Sequence, residues 1–168
     1  MTSLGNGSLD RSFRSARERA LRLVPATGVL DDLVHAVGQD RGRLIRLLPF
    51  HLGAQSLTGL WVATDQADYI VYPTNASAAE RTAIVSHELS HMLLLHPPAG
   101  GADQLGELAA LLAPSIDPSV VRRFFARHGY ARREEADAET LATVLVTQLT
   151  RNRERSELSH DQTLDRLR

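Results

Sequence analysis

His87-Glu88-Leu89-Ser90-His91 sets two imidazoles and a carboxylate in the pattern H-E-x-x-H. Residues four apart on a helix lie on one face, one turn apart, so both imidazoles can reach a single ion. Glu88 beside them can take a proton from a water activated at that ion, which is the chemistry of a metal-dependent hydrolase. Coincidence is a weak rival. With 7 histidines and 9 glutamates in 168 residues, roughly 0.015 accidental matches are expected in such a chain. The competing reading is a helix whose histidines only cap, pack or hydrogen-bond, and it suits a lone histidine better than a pair with a glutamate between.

A hydrolytic zinc site takes three protein ligands and keeps a fourth position open. The chain has no cysteine, so disulfides and thiolate ligands are excluded and any metal must be held by histidines and carboxylates. The third ligand must come from elsewhere, and Glu134-Glu135-Ala136-Asp137-Ala138-Glu139 offers several carboxylates. Glu135 and Glu139 are four apart and share a face with Ala138 and Ala142, small residues that let two helices approach closely. Acids also gather at helix N-termini to satisfy the macrodipole, which accounts for Glu134. Position alone leaves Glu135, Asp137 and Glu139 all open.

The elements that would hold these groups can be read outward from the motif. Ser77-Ala78-Ala79-Glu80 has the form of a capping box, with Asn75 as a rival cap, and Pro97-Pro98 stops the element about 19 residues later. Ile84, His87, Glu88, His91 and Leu95 fall on one stripe, with Leu94 beside it, so the motif is expected to face inward. The acidic cluster opens a helix from about Ala131 to Asn152, with Ala138, Leu141, Ala142, Leu145 and Leu149 on one side. Upstream, residues 10–23 carry Phe13, Ala16, Ala20 and Leu23 at helical spacing, and Pro25 ends that helix. A second helix is expected from Val29 to Val37, closed by Gly38 and Gly42. Residues 44–50, 59–64 and 68–72 read as strands. The Asp65-Gln66 turn makes the last two an antiparallel pair. Between motif and acidic cluster, residues 105–113 and 117–128 read as helices, the second opened by Asp117-Pro118. The order α-α-β-β-β-α-α-α-α predicts an α+β domain with a small antiparallel three-stranded sheet packed on helices.

At 168 residues the chain fits one domain with a real core. That domain is expected over residues 10–152, with residues 1–9 disordered and 153–168 a charged, frayed tail. A net charge of −1 gives no reason to expect direct nucleic-acid binding. All 19 basic residues are arginine, which reflects coding bias better than function. No apolar run approaches a membrane span and no secretory leader is visible, so a cytoplasmic protein without membrane contact is expected.

The stretch His87-Glu88-Leu89-Ser90-His91-Met92-Leu93-Leu94-Leu95-His96, followed by Glu135-Ala136-Asp137-Ala138-Glu139-Thr140-Leu141-Ala142, resembles the ImmA/IrrE family of minimal gluzincin metallopeptidases. That family carries H-E-L-x-H-x-x-L-x-H and a later E-x-x-A-[DN]-x-[FL]-A helix. The strands Gly59-Leu60-Trp61 and Asp68-Tyr69-Ile70-Val71-Tyr72 are also similar, so the resemblance spans roughly residues 10–150. H-E-x-x-H is shared by many peptidases, and the paired second motif carries the specificity. The resemblance implies a zincin-like fold with an active-site helix and a C-terminal ligand-bearing helix. It also implies His87, His91 and Glu135 as Zn2+ ligands and Glu88 as general base, with Glu139 steadying a ligand histidine. Glu139 is one methylene longer than the usual residue there, and Ser90 stands where glycine is frequent. The expected activity is that of a zinc endopeptidase, a cytoplasmic hydrolase that cleaves or inactivates a helix-turn-helix transcriptional repressor in a stress, mobile-element or developmental switch. The alternative is a non-proteolytic, metal-supported regulator that binds a transcription factor or toxin-antitoxin partner. The chain is expected to be a catalytic domain alone, without the DNA-binding domains some members carry. Tyr130 and His128, just before the ligand helix, are candidate oxyanion stabilisers, with a packed tyrosine and a capping histidine as the plainer readings. Trp61 and Tyr69 read as core or hairpin residues and His96 as a C-terminal helix cation. His35, His51 and His160 carry no pattern.

Overall fold

The computed structural model describes residues 4–50, 59–64, 66–98 and 130–165, with residues 4–10 and 161–165 as helical backbone only. The helices expected over residues 105–113 and 117–128 lie outside the described residues, as do His51 and His128. The remaining chain forms α1 (Leu4–Leu23), α2 (Leu30–Arg41), β1 (Ile45–Phe50), β2 (Leu60–Ala63), β3 (Asp68–Pro73), α3 (Ala78–Leu93) and α4 (Arg132–Asp165). It is an α+β arrangement of four helices and a three-stranded mixed sheet. No helix among the described residues is long and apolar enough to cross a membrane.

The sheet order is β1-β3-β2. β2 and β3 are antiparallel, with Trp61 opposite Ile70. β1 and β3 are parallel, with Leu47 opposite Ile70, which corrects the expectation of an all-antiparallel sheet. The three strands alternate in direction along the chain. A meander would therefore be antiparallel throughout, but placing the third strand between the first two sets β1 and β3 side by side in the same direction. β3 suits the centre because the adjacent residues Ile70 and Val71, which point to opposite faces, are both buried.

The helices also depart from expectation in length. α2 runs through Gly38 to Gly42, the left-handed C-cap at φ 66°. A side chain at Gly38 would stand 2.9 Å from the Arg43 carbonyl, so glycine here permits close approach and does not end the helix. α4 continues past Asn152 because residues 153–165 contain neither glycine nor proline. Asn152 donates to the Pro25 carbonyl at 2.9 Å and Arg153 to the Gly28 carbonyl at 3.3 Å, fixing this part of α4 to the α1–α2 turn. α1 begins at Leu4, inside the segment expected to be disordered.

α3 packs along α4 and against the sheet. Val85, Leu89 and Met92 from α3 meet Leu141, Leu145 and Leu149 from α4 and Ile70 from β3 in one buried cluster. The two helices that carry the candidate ligands are thereby held together by one shared core.

Candidate metal centre

α3 starts as its sequence dictates. The Ser77 hydroxyl accepts from the Glu80 amide at 3.2 Å, and the Glu80 carboxylate accepts from the Ser77 amide at 2.8 Å. This reciprocal cap lowers the Glu80 pKa, chiefly through the Ser77 hydrogen bonds. The helix ends earlier than Pro97-Pro98 suggested. Leu94 is the C-cap, and Leu95 adopts the left-handed conformation at φ 60° with 74% of its surface exposed. Leu95 therefore lies off the helix and outside the buried stripe. Its amide donates to the Met92 carbonyl at 3.2 Å and the His96 amide to the His91 carbonyl at 3.0 Å. This is a Schellman motif with leucine at the position glycine normally takes.

The same Met92 carbonyl also accepts from α2. Arg41 donates to the Met92 carbonyl at 3.1 Å and to the fully buried Asp68 carboxylate at 3.1 Å, while its guanidinium lies 5.1 Å from the centre of the Trp61 ring. Arg43 pairs with the other Asp68 oxygen at 3.3 Å and donates to the Thr64 carbonyl. A buried carboxylate flanked by two guanidiniums thus joins α2, the start of β3 and the last turn of α3. Sequence reasoning missed this network, because arginines so far upstream of Asp68 cannot be paired with it by spacing.

His87, His91 and Glu135 each offer a donor atom, and these atoms lie within 4.8 Å of one another. The two Nε2 atoms are 3.1 Å apart, and Glu135 stands 3.3 Å from His87 Nε2 and 3.9 Å from His91 Nε2. Donors about 2.1 Å from one tetrahedral ion should be separated by roughly 3.4 Å, so the spacing fits a metal. Glu139 approaches the opposite nitrogen of His87, Nδ1, at 3.4 Å. Of the candidate carboxylates, Glu135 faces both imidazoles, Glu139 backs one of them, and Asp137 joins neither. Glu134 accepts from the Ala131 amide at 3.1 Å, as a helix-capping acid would.

Glu88 is buried beside these donors. One side of its carboxyl is hydrogen-bonded by the Trp61 backbone in β2, while its Oε2 has no hydrogen-bond partner among the described residues. Burial pushes its pKa up to about 8, with the Glu135 charge adding to the shift. A cation held by the three donors would act in the opposite sense and favour the carboxylate. Burial, then the neighbouring His87 and His96, pushes the His91 pKa down to about 3, so this ring is neutral as a ligand must be. Burial also lowers His96, against the pull of Glu134, Asp137 and Glu135. Tyr130 stacks face to face on His91, ring centres 3.5 Å apart and 15° from parallel. That contact agrees with the plainer reading of Tyr130 as a packed ring.

A cavity of about 300 Å3 opens onto the centre, lined by Gly59, Ile84, His87, Glu88, Glu135 and Glu139 among others. A Cβ at Gly59 would lie 2.5 Å from Ile84 and 2.9 Å from Glu88 Oε1, so glycine is needed where the chain enters β2. No family model matches the chain, and no curated protein matches it.

Proposed function

We propose that this chain is a zinc-dependent endopeptidase of the ImmA/IrrE type, acting on a helix-turn-helix transcriptional repressor. The observation that carries the reading is the convergence of His87, His91 and Glu135 beside a buried Glu88 oxygen that has no hydrogen-bond partner among the described residues. Two imidazoles and one carboxylate suit a borderline cation such as zinc and leave a coordination position open, whereas structural zinc is closed by four protein ligands. When bound, zinc would supply Lewis acidity to a water and to the scissile carbonyl. Glu88 would take a proton from the attacking water through Oε2 and return it to the leaving amine, while the Trp61 backbone holds the rest of the carboxyl. Glu139 orients His87 from behind. Among the described residues β2 pairs on one side only, and Gly59 just before it lines the cavity, so an extended substrate segment can add to its open edge. A repressor substrate would place the enzyme in the cytoplasm.

The test uses zinc-loaded protein and a mixed-sequence peptide library read by mass spectrometry. Wild type should cleave, and Glu88→Gln should keep its zinc while losing about 10²–10⁴-fold in rate. Absence of cleavage by wild type, or equal cleavage by the variant, would sink the peptidase reading. If Glu88→Gln still relieved repression in full, the chain would be a non-proteolytic binding module.

A further inference from the structure

His96 lies one turn beyond His91, outside α3, and the Schellman turn folds it back onto that residue. Its amide is bound to the His91 carbonyl at 3.0 Å, and its ring Nδ1 stands 2.9 Å from His91 Nδ1. The two residues are therefore joined at both backbone and side chain. A Schellman turn usually places an apolar contact between these same two positions; here two imidazoles meet instead. The turn is also made at a cost, since Leu95 takes the left-handed conformation without being glycine and without burying its side chain.

His91 turns Nε2 toward His87 and Glu135. A neutral imidazole that gives Nε2 to a metal carries its proton on Nδ1, and the group facing Nδ1 must then accept it. His96 can do so through Nδ1 only with its own proton on Nε2. We propose that His96 is a positioning residue for the metal centre: it accepts the Nδ1–H of His91 and so fixes both the tautomer and the ring orientation that present Nε2 to the ion. Metal-bound histidines usually donate this proton to a carboxylate, a carbonyl or a water. In this chain a second histidine takes that place, and the left-handed turn at Leu95 delivers it. Glu139 at His87 and His96 at His91 then give each ligand histidine its own partner behind the site. The inference rests on the metal-centre reading proposed above.

Zinc affinity measured by competition with a chromogenic chelator tests it without reference to catalysis. His96→Ala should bind zinc about 10–100-fold more weakly than wild type. His96→Asn should recover affinity to within about threefold, because its Oδ1 stands where Nδ1 stood and accepts the same proton. Long-range 1H–15N spectra of the zinc-loaded wild type should show His91 protonated at Nδ1 and metal-shifted at Nε2. Wild-type affinity in His96→Ala, an asparagine variant as weak as alanine, or zinc on His91 Nδ1 would each overturn the assignment. His91→Ala separates the two levels. If it and wild type bind zinc alike, or wild type binds none, the metal centre itself is wrong. If His91→Ala loses zinc while His96→Ala does not, only the role of His96 falls. Should His96→Ala fail to fold, the wild-type spectra and the asparagine variant still decide.

Discussion

Glu135 and Glu134 are neighbours with the same side chain and different work. Glu135 faces both imidazoles, whereas Glu134 returns to cap the start of α4. Glu135→Ala should therefore lower zinc affinity by more than the roughly 10–100-fold typical of a group behind a ligand, while Glu134→Ala leaves it nearly unchanged. Equal zinc content in the two purified variants would remove Glu135 from the donor set. His91 and Glu88 set a pH dependence in protein stripped by a chelator. His91, held near 3, contributes stability that is complete above its unfolded value of 6.5 and is lost as pH falls toward 3. Glu88, raised to about 8, contributes stability that is complete below 4.5 and is lost as pH rises toward 8. The two slopes oppose each other between 4.5 and 6.5, where His96, also lowered by burial, adds to the loss on acidification, so the melting temperature should be highest near pH 6.5 and decline on both sides. Zinc should abolish the alkaline decline by favouring ionised Glu88. Calorimetry showing a flat profile from pH 6.5 to 8 in chelator-treated protein would contradict this. The motif residues were legible because their relation is local, four positions on one helix face. Gly59 and Asp68 were not, because each matters through a segment far along the chain.

At the scale of elements, local chemistry again marks what could be read. The capping box at Ser77 and the apolar stripe of α4 follow from short-range spacing, and both are present. The end of α3 was not legible, since two prolines set only the latest place a helix can stop, and the left-handed turn at a leucine carries no residue signal. That turn is testable. Leu95→Gly should raise stability by about 0.5–1 kcal/mol, the relief of a left-handed leucine exceeding the added freedom of the unfolded chain. Thermal unfolding reads it, and a destabilised variant would mean that Leu95 packs in a way its exposure conceals. Strand direction was also hidden. The short segment between β2 and β3 reports only the pair it joins, and nothing local says that β3 inserts between β1 and β2.

For the whole molecule, the assembly depends on α4 meeting the first two helices as well as the motif helix. Gly28 is where they touch. It sits at φ 66°, and a Cβ there would fall 2.4 Å from the Leu149 carbonyl and 2.3 Å from the Arg153 amide. Backbone cannot yield as a side chain can, so Gly28→Ala should cost at least about 2 kcal/mol from strain and overpacking together. Denaturant unfolding with a loss below about 0.5 kcal/mol would show that the α1–α2 turn does not press on α4 as described. This contact has a further consequence. α4 has 34 residues, so it is a rod about 51 Å long. Its middle is clamped in the core at Leu141, Leu145 and Leu149, with Glu135 on the short arm and the stretch beyond Arg153 on the long one. About such a fulcrum near Leu145, Glu135 lies roughly 15 Å away, and a tilt of only about 4° moves it by about 1 Å. Displacements of that size are enough to degrade a catalytic constellation. Any tilt of α4 that its clamps allow, at Leu141, Leu145 and Leu149 and at Asn152 and Arg153, would carry the Glu135 carboxylate away from His87 and His91.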